Sequence, residues 1–206
     1  MSDIRYAIVE SGTWTGEIVD DPRQHSTEVI PKPAKIRDYV RHGYYPIRTE
    51  EGDPSASEKQ VGWEYVLDKA RGVMRKVAQY ETKTVEEYAG DLKEEAAARR
   101  TQHARKPVAY GNHEFDADAE AQQKLVGKLT YAQAAGKDTD STWSVRWKTA
   151  GNDFVQLSYD DLAAVVQAVN QQVQAAYNRE AQLLSEIEAA TTIDELEAID
   201  LTSGWP

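Results

Sequence analysis

The chain has 206 residues, enough for one domain of ordinary size and a smaller one, and its 24 Lys and Arg against 35 Asp and Glu give a formal net charge of −11. Phosphate backbones repel so acidic a chain, so we expect no nucleic-acid partner, and the absence of cysteine excludes disulfides, thiolate metal sites and cysteine nucleophiles. The N-terminus shows no signal-peptide pattern and no run of about 18 residues is continuously apolar, so we expect folding in the cytosol without membrane insertion.

Two pairs of short β-prone runs stand out in the first 83 residues. Residues 5–10 and 14–19 flank a glycine-containing turn and predict one hairpin. Residues 62–67 and 73–80 predict a second hairpin, in which Gly72 can adopt the positive φ of a tight turn.

The segment between these hairpins, residues 20–60, contains five prolines. Proline removes a backbone donor and fixes φ, so this density excludes a long helix. We expect extended, irregular chain here, with one short element over residues 36–40.

A helix is predicted from Thr84 to about Pro107. Thr84 and Glu87 form a capping box, which satisfies free N–H groups at a helix start. The helical spacing continues with Tyr88, Leu92, Ala96 and Arg99. Because this apolar stripe is narrow, we expect the helix to connect two parts of the protein or to pack on a neighbour.

The C-terminal part alternates strands and capped helices. Residues 108–118 predict a strand and then a turn, and Asp116 or Asp118 can cap the helix that follows and that Gly136 closes. Its apolar positions are Leu125, Val126, Leu129 and Ala132. Alternating residues over 143–148 and a strand over 154–157 predict a third hairpin.

Ser158 opens the longest predicted helix, which runs to about Ala190 behind a Ser-x-x-Asp capping box. A heptad-like seam, broken at Glu180, follows one face of it and predicts packing against another helix. The seam consists of Leu162, Val166, Val169, Val173, Ala176, Glu180, Leu183 and Ile187. Thr192 and Glu195 form a further capping box that opens a short last helix.

These elements predict an α+β fold. We expect N-terminal β-hairpins with Pro-rich irregular segments, a connecting helix and a C-terminal helix–hairpin–long helix domain. The predicted division is a β-rich N-terminal attachment region over residues 1–83, the connecting helix over 84–107 and the C-terminal α+β domain over 108–206.

One stretch has the composition of a site. His113, Glu114, Asp116 and Asp118 supply one imidazole and three carboxylates within six positions. Helix capping explains the two aspartates better than metal binding does, and we expect His113 to lie in a turn, with no second histidine at ligand spacing. The other histidines, His25, His42 and His103, stand alone, and we expect no catalytic residue, no metal site and no cofactor.

Two further patterns have a structural and a functional interpretation. Trp143 and Trp147 share one face of a predicted strand and could stack on sugars, but a half-buried hairpin explains them better, as it does Trp14 and Trp63. Basic residues 99–106 could contact an acidic partner or nucleic acid, but cations are expected in a last helical turn because of the helix dipole, and so acidic a chain has no supporting basic stripe.

From Tyr110 onward the order of motifs resembles a domain of unknown function common at the C-termini of tailed-phage tail-fibre and tail-fibre-assembly proteins. The motifs that carry the resemblance are Phe115-Asp116-Ala117-Asp118, Trp143 and Trp147 before Ala150-Gly151-Asn152-Asp153, Leu157-Ser158, Ile187 to Leu196, and Gly204-Trp205-Pro206. The segment 43–47 with Trp63-Glu64-Tyr65 resembles the region that precedes this domain.

The resemblance implies a structural virion protein of a bacteriophage tail, assembled in the host bacterial cytoplasm, at or near the baseplate–tail-fibre junction. Its implied partners are other tail, baseplate or fibre proteins, and we expect a homo-oligomer, with a trimer as the state typical of fibres. The family has no catalytic residues to transfer. The alternatives are a tail-fibre assembly chaperone absent from the mature virion, and a tail enzyme that cleaves polysaccharide or cell wall.

Overall fold

The computed structural model describes residues 4–24, 26 and 35–206. Helices and strands both contribute, with the strands concentrated at the N-terminal end and a long helix near the C-terminal end, so the predicted α+β class is confirmed. The chain divides into two compact units, and the boundary along the sequence lies between Lys83 and Thr84.

The first unit is a five-stranded sheet with the order β2-β1-β3-β5-β4. Strands β3 and β5 are parallel and the other neighbours are antiparallel. The elements are β1 (Tyr6–Glu10), β2 (Thr13–Val19), a 3₁₀ turn (Pro22–Gln24), α1 (Ile36–Arg41), β3 (Tyr44–Glu50), β4 (Glu58–Asp68) and β5 (Val73–Thr82). Both predicted hairpins are confirmed, and Gly72 has a φ of +63°.

Strand β3 lies in the segment for which irregular chain was expected, and it occupies the middle of the sheet. Its proline is tolerated because of the register. Ile47 N donates to Arg5 O over 2.9 Å and Val9 N donates to Gly43 O over 2.7 Å, which places Pro46 opposite Tyr6 at a position where β1 needs no donor. The ladder to β5 begins only at Ile47.

Apolar side chains lie on both faces of this sheet. Tyr6, Val19 and Tyr44 form one buried cluster, on which Tyr39 of α1 packs. Ala7, Val9 and Met74 form the cluster on the other face, and the partly buried residues around it are Trp14, Tyr45, Ile47, Tyr65 and Leu67.

The second unit contains two strand pairs and four α-helices, one of which is 31 residues long. Its elements are α2 (Val85–Ala104), β6 (Val108–Tyr110), β7 (His113–Phe115), α3 (Ala119–Ala134), a 3₁₀ turn (Lys137–Thr139), β8 (Ser144–Lys148), β9 (Phe154–Ser158), α4 (Tyr159–Ala189) and α5 (Ile193–Glu197). β6 pairs with β7 and β8 pairs with β9, both antiparallel. The predicted capping boxes at Thr84, Ser158 and Thr192 are confirmed.

Helix α4 supplies side chains to both cores of this unit. Its N-terminal half contributes Leu162, Val165, Val166 and Val169 to a core around Phe115 and Leu125. Its C-terminal half contributes Leu183 and Ile187 to a second core. The other members of this core come from α2, α5 and the C-terminal segment after α5, and they are Tyr88, Leu92, Ala96, Leu196 and Leu201. Helix α2, which was expected to connect two parts of the protein or to pack on a neighbour, belongs to the second unit and packs on α4. The predicted seam on α4 therefore contacts another helix.

None of the helices in the described ranges combines the length and the apolar character that a bilayer crossing requires.

Candidate functional site

A groove of about 410 Å³ opens in the second unit between the first turn of α3 and the β8–β9 hairpin. We call it the β8 groove. Its helix wall consists of Asp116, Asp118, Glu120, Ala121 and Lys124, and its hairpin wall consists of Arg146, Trp147, Lys148 and Phe154. A larger hollow in the first unit includes Ser26, whose chain neighbours lie outside the described residues.

Local chemistry fixes the helix wall. Asp118 Oδ1 accepts a hydrogen bond from Ala121 N over 2.8 Å, so it is the residue that caps α3. Gln122 Nε2 donates to Ala117 O over 2.7 Å and holds the chain just before the cap. Phe115 and Ala117 are fully buried, so the intervening Asp116 projects outward and lines the groove.

The hairpin wall presents an open strand edge. Thr149 N donates to Asp153 O over 2.8 Å, and in an antiparallel ladder the bonded pairs then recur at Trp147 with Val155. The N–H and C=O groups of Arg146 and Lys148 therefore point away from β9. Within the described part of the chain, no backbone hydrogen bond satisfies these groups.

One end of the groove is closed by a hydrogen bond in which Ala150 N donates to Glu114 O over 2.9 Å. From this bond the chain runs through Asp116 to Asp118 on one side and back through Lys148 to Arg146 on the other. The two segments separate and leave the groove between them.

Charges of both signs line the groove, with the carboxylates on the helix wall. Lys124 Nζ lies 2.5 Å from Glu120 Oε1, and this hydrogen bond raises the pKa of the Lys124 ammonium. The guanidinium of Arg146 lies over the ring of Phe154, 4.7 Å from its centroid, although Phe154 is 58% exposed. Lys148 and Arg146 form no ion pair with any residue in the described ranges.

The stretch from His113 to Asp118 is only partly assembled into this site. Asp116 and Asp118 line the groove, whereas His113 and Glu114 are exposed on β7. His113 begins a strand and pairs with Tyr110, instead of lying in the turn as expected. Across residues 4–24, 26 and 35–206, no three His, Asp or Glu side chains converge in a way that could hold a metal ion.

The tryptophans pack mainly as core residues. Trp143 and Trp147 are partly buried against the core around Phe115, and Trp147 also reaches the groove. In the first unit, Trp14 lies 4.3 Å from the ring of Tyr65, and Lys76 Nζ lies 4.1 Å from the ring centroid of Trp63.

The remaining histidines and the basic segment have local partners. His103 Nδ1 lies 3.1 Å from Pro206 O, and its ring stacks on Trp205 with centroids 5.3 Å apart. His42 is the C-cap of α1, and His25 lies outside the described residues. In the basic segment, Arg99 pairs with Glu95 of the same helix, 2.7 Å away.

The sequence interpretation missed the β8 groove. One signal for it was present, because Phe154 shares a strand face with the polar Gln156 and Ser158 and is therefore an aromatic residue on a solvent face. The open edge gave no such signal, since it depends on which residues of β8 bond to β9.

Comparison with known proteins gave one result. No curated protein and no solved structure matches the chain. A family model described as a domain of unknown function (DUF4376) matches residues 87–202, which lie inside the second unit. The match covers more than half of the 206 residues, so the chain belongs to the DUF4376 family.

Proposed function

We propose that this chain is a structural, non-enzymatic component of a bacteriophage tail that works by binding other tail proteins at or near the baseplate–tail-fibre junction. The observation that carries the proposal is the β8 groove, where the backbone groups of Arg146 and Lys148 are free and Phe154 is exposed. Another polypeptide chain is the ligand that can satisfy free strand-edge groups in series.

The tail assignment is supported by the order of sequence motifs, which resembles the C-terminal domain of tail-fibre and tail-fibre-assembly proteins. These motifs coincide with structural features of the second unit: Asp118 caps α3, Ser158 caps α4 and Thr192 caps α5. The resemblance thus follows the positions that define the fold of this unit.

Self-association belongs to the same proposal. Fibre proteins are usually trimeric. A trimer of this chain could contact all three fibre subunits in the same way. Light scattering on the purified chain at micromolar concentration tests this: a trimer supports it, and a monomer that persists when the fibre partner is added contradicts it.

Mass spectrometry of purified virions tests whether the chain is a tail component. We expect the chain in stoichiometric copies with the fibre proteins, in the virion tail, after assembly in the host cytoplasm. Its absence from virions, together with its presence on unassembled fibre chains in infected cells, would show instead that it is an assembly chaperone.

A tail enzyme that cleaves sugars predicts carboxylates on opposite sides of a cleft. In the β8 groove, Asp116, Asp118 and Glu120 all belong to the helix wall, and the hairpin wall faces them with cations. An assay on capsular polysaccharide and on cell wall checks this point, and cleavage that is lost in Asp116→Asn would contradict the proposal.

A further inference from the structure

The open edge of β8 indicates how a partner binds. We propose that the β8 groove takes an extended peptide segment of a partner protein as a third strand on β8, with acidic side chains beside Arg146 and Lys148. This inference rests on the proposed function, because it names the partner chemistry of the same groove.

The backbone of β8 offers the hydrogen bonds that an added strand needs. The N–H and C=O groups of Arg146 and Lys148 are two residues apart, which is the repeat at which a strand presents groups to one neighbour. Among the described residues, two strands make up the β8–β9 sheet, so one further strand also extends a minimal sheet.

The side chains of β8 determine the sequence pattern of the segment. Arg146 and Lys148 are exposed and alternate with Trp147, which is partly buried. A strand beside β8 places alternate side chains next to the two cations and the others toward Trp147 and Ala121. Acidic residues suit the first set and apolar residues suit the second.

The cations are available for this pairing because the carboxylates nearby have other partners. Glu120 binds Lys124 at 2.5 Å, and Asp118 accepts the hydrogen bond from Ala121 N. Among the described residues, Asp116 is the one groove carboxylate that forms no hydrogen bond or ion pair, and it lies at the end of the groove that the Ala150–Glu114 bond closes. We therefore expect the acidic residues of the peptide to lie toward Arg146.

A glycan fits the groove less well than a peptide. Sugars stack on free aromatic faces, but the guanidinium of Arg146 already lies over the ring of Phe154. A free strand edge presents N–H and C=O groups at the spacing of another strand's backbone amides. A peptide can therefore bond to all of them, whereas sugar hydroxyls do not repeat at this spacing.

Fluorescence polarisation with labelled, end-capped peptides on the full chain tests the proposal. We expect Glu-Val-Glu-Val-Glu to bind at least about tenfold more tightly than Lys-Val-Lys-Val-Lys, and its affinity to fall with salt. Equal binding of the two peptides, no binding of either at millimolar concentration, or displacement of the acidic peptide by a neutral oligosaccharide would overturn it.

Backbone methylation separates strand addition from simple charge attraction. In a strand, alternate amides point to opposite sides, so methylating one alternate set of the Glu-Val-Glu-Val-Glu amides should reduce affinity about tenfold and methylating the other should leave it unchanged. Equal effects of the two sets would contradict binding as a strand.

Protein variants locate the site. Lys148→Glu and Arg146→Glu should each weaken acidic-peptide binding about tenfold, whereas Lys128→Glu, on α3 outside the groove, should not. Equal losses in all three variants would place the peptide elsewhere. If peptides bind as expected but virions lack the chain, the tail assignment is wrong and this inference stands. If virions contain the chain but the peptides do not bind, only this inference is wrong.

Discussion

Arg100 on α2 and Glu180 on α4 form an ion pair, with 3.2 Å between Nη1 and Oε2, at the position where the apolar seam of α4 is interrupted. Their side chains are only 27% and 12% exposed, and the Arg100 guanidinium lies 4.8 Å from the ring centroid of Tyr177. The charged residue in the seam therefore has a specific partner, and the pair links α2 to α4 at this position.

Removing one member of this pair should destabilise the protein. Glu180→Ala leaves a largely buried guanidinium without its carboxylate, and we expect the free energy of unfolding to fall by about 1–3 kcal/mol. The double variant Arg100→Met with Glu180→Leu should lose much less, because both charges go together. Urea denaturation of Arg100→Met, Glu180→Leu and the double variant measures the coupling, and purely additive losses would contradict a specific pair.

Ser158 should be the energetically important serine of the long helix. Its Oγ accepts from Asp161 N over 3.1 Å, and Asp161 Oδ2 accepts from Ser158 N over 3.1 Å. Ser158→Ala removes half of this capping box and should cost about 1 kcal/mol in urea denaturation. Ser185→Ala, on an exposed position of the same helix, is the matched control and should stabilise the helix slightly, because alanine has the higher helix propensity. Equal effects of the two changes would argue against the cap.

Leu183 should matter more for stability than its neighbour on α4. It is fully buried between α2, α5 and the C-terminal segment after α5. Leu183→Ala therefore leaves a cavity and should lower the free energy of unfolding by about 2–5 kcal/mol. Leu184 is half-buried and lies outside this core, so Leu184→Ala should cost clearly less. Thermal denaturation compares the two variants, and a larger loss at Leu184 would show that the core is wrongly placed.

Asp140 should make stability depend on acid pH. Its carboxylate accepts hydrogen bonds from the Thr142 hydroxyl over 2.7 Å and from Lys137 Nζ over 3.1 Å, and these lower its pKa from 3.8 to about 2. Because the folded pKa is depressed, the stabilisation is present above the unfolded value of 3.8 and is lost as the pH falls through about 2.

The expected result is a higher melting temperature for the natural protein than for Asp140→Asn at pH 7, and a smaller difference at pH 2. Asp138→Asn, in the same turn, controls for the change in net charge. A difference between the natural protein and Asp140→Asn that is the same at both pH values would contradict the assignment.

Local signals in the sequence predicted much of the fold. The caps at Thr84, Ser158 and Thr192 and the turn at Gly72 depend on residues within four positions of each other, so the sequence shows them directly. Strand β3 was missed because its pairing with β5 joins residues far apart in the chain, and local proline content favoured irregular structure.

The candidate site could be predicted only in part. Asp116 and Asp118 were recognised as unusual, and the capping role of Asp118 follows from its position before a helix. The free edge at Arg146 and Lys148 depends on the register between two strands, and a shift by one residue would have pointed these groups at β9. Sequence alternation gives the face of a strand but not which backbone groups are bonded.

Cross-linking mass spectrometry on purified virions of the proposed parent phage tests the central proposal most directly, namely that the chain binds other tail proteins through the β8 groove of its second unit. Lys124 and Lys148 place amines at the β8 groove, and Lys128 places one outside it. The account predicts cross-links from Lys124 and Lys148 to another tail protein. Cross-links to partners from Lys128 and the first unit, with none from the two groove lysines, would contradict it.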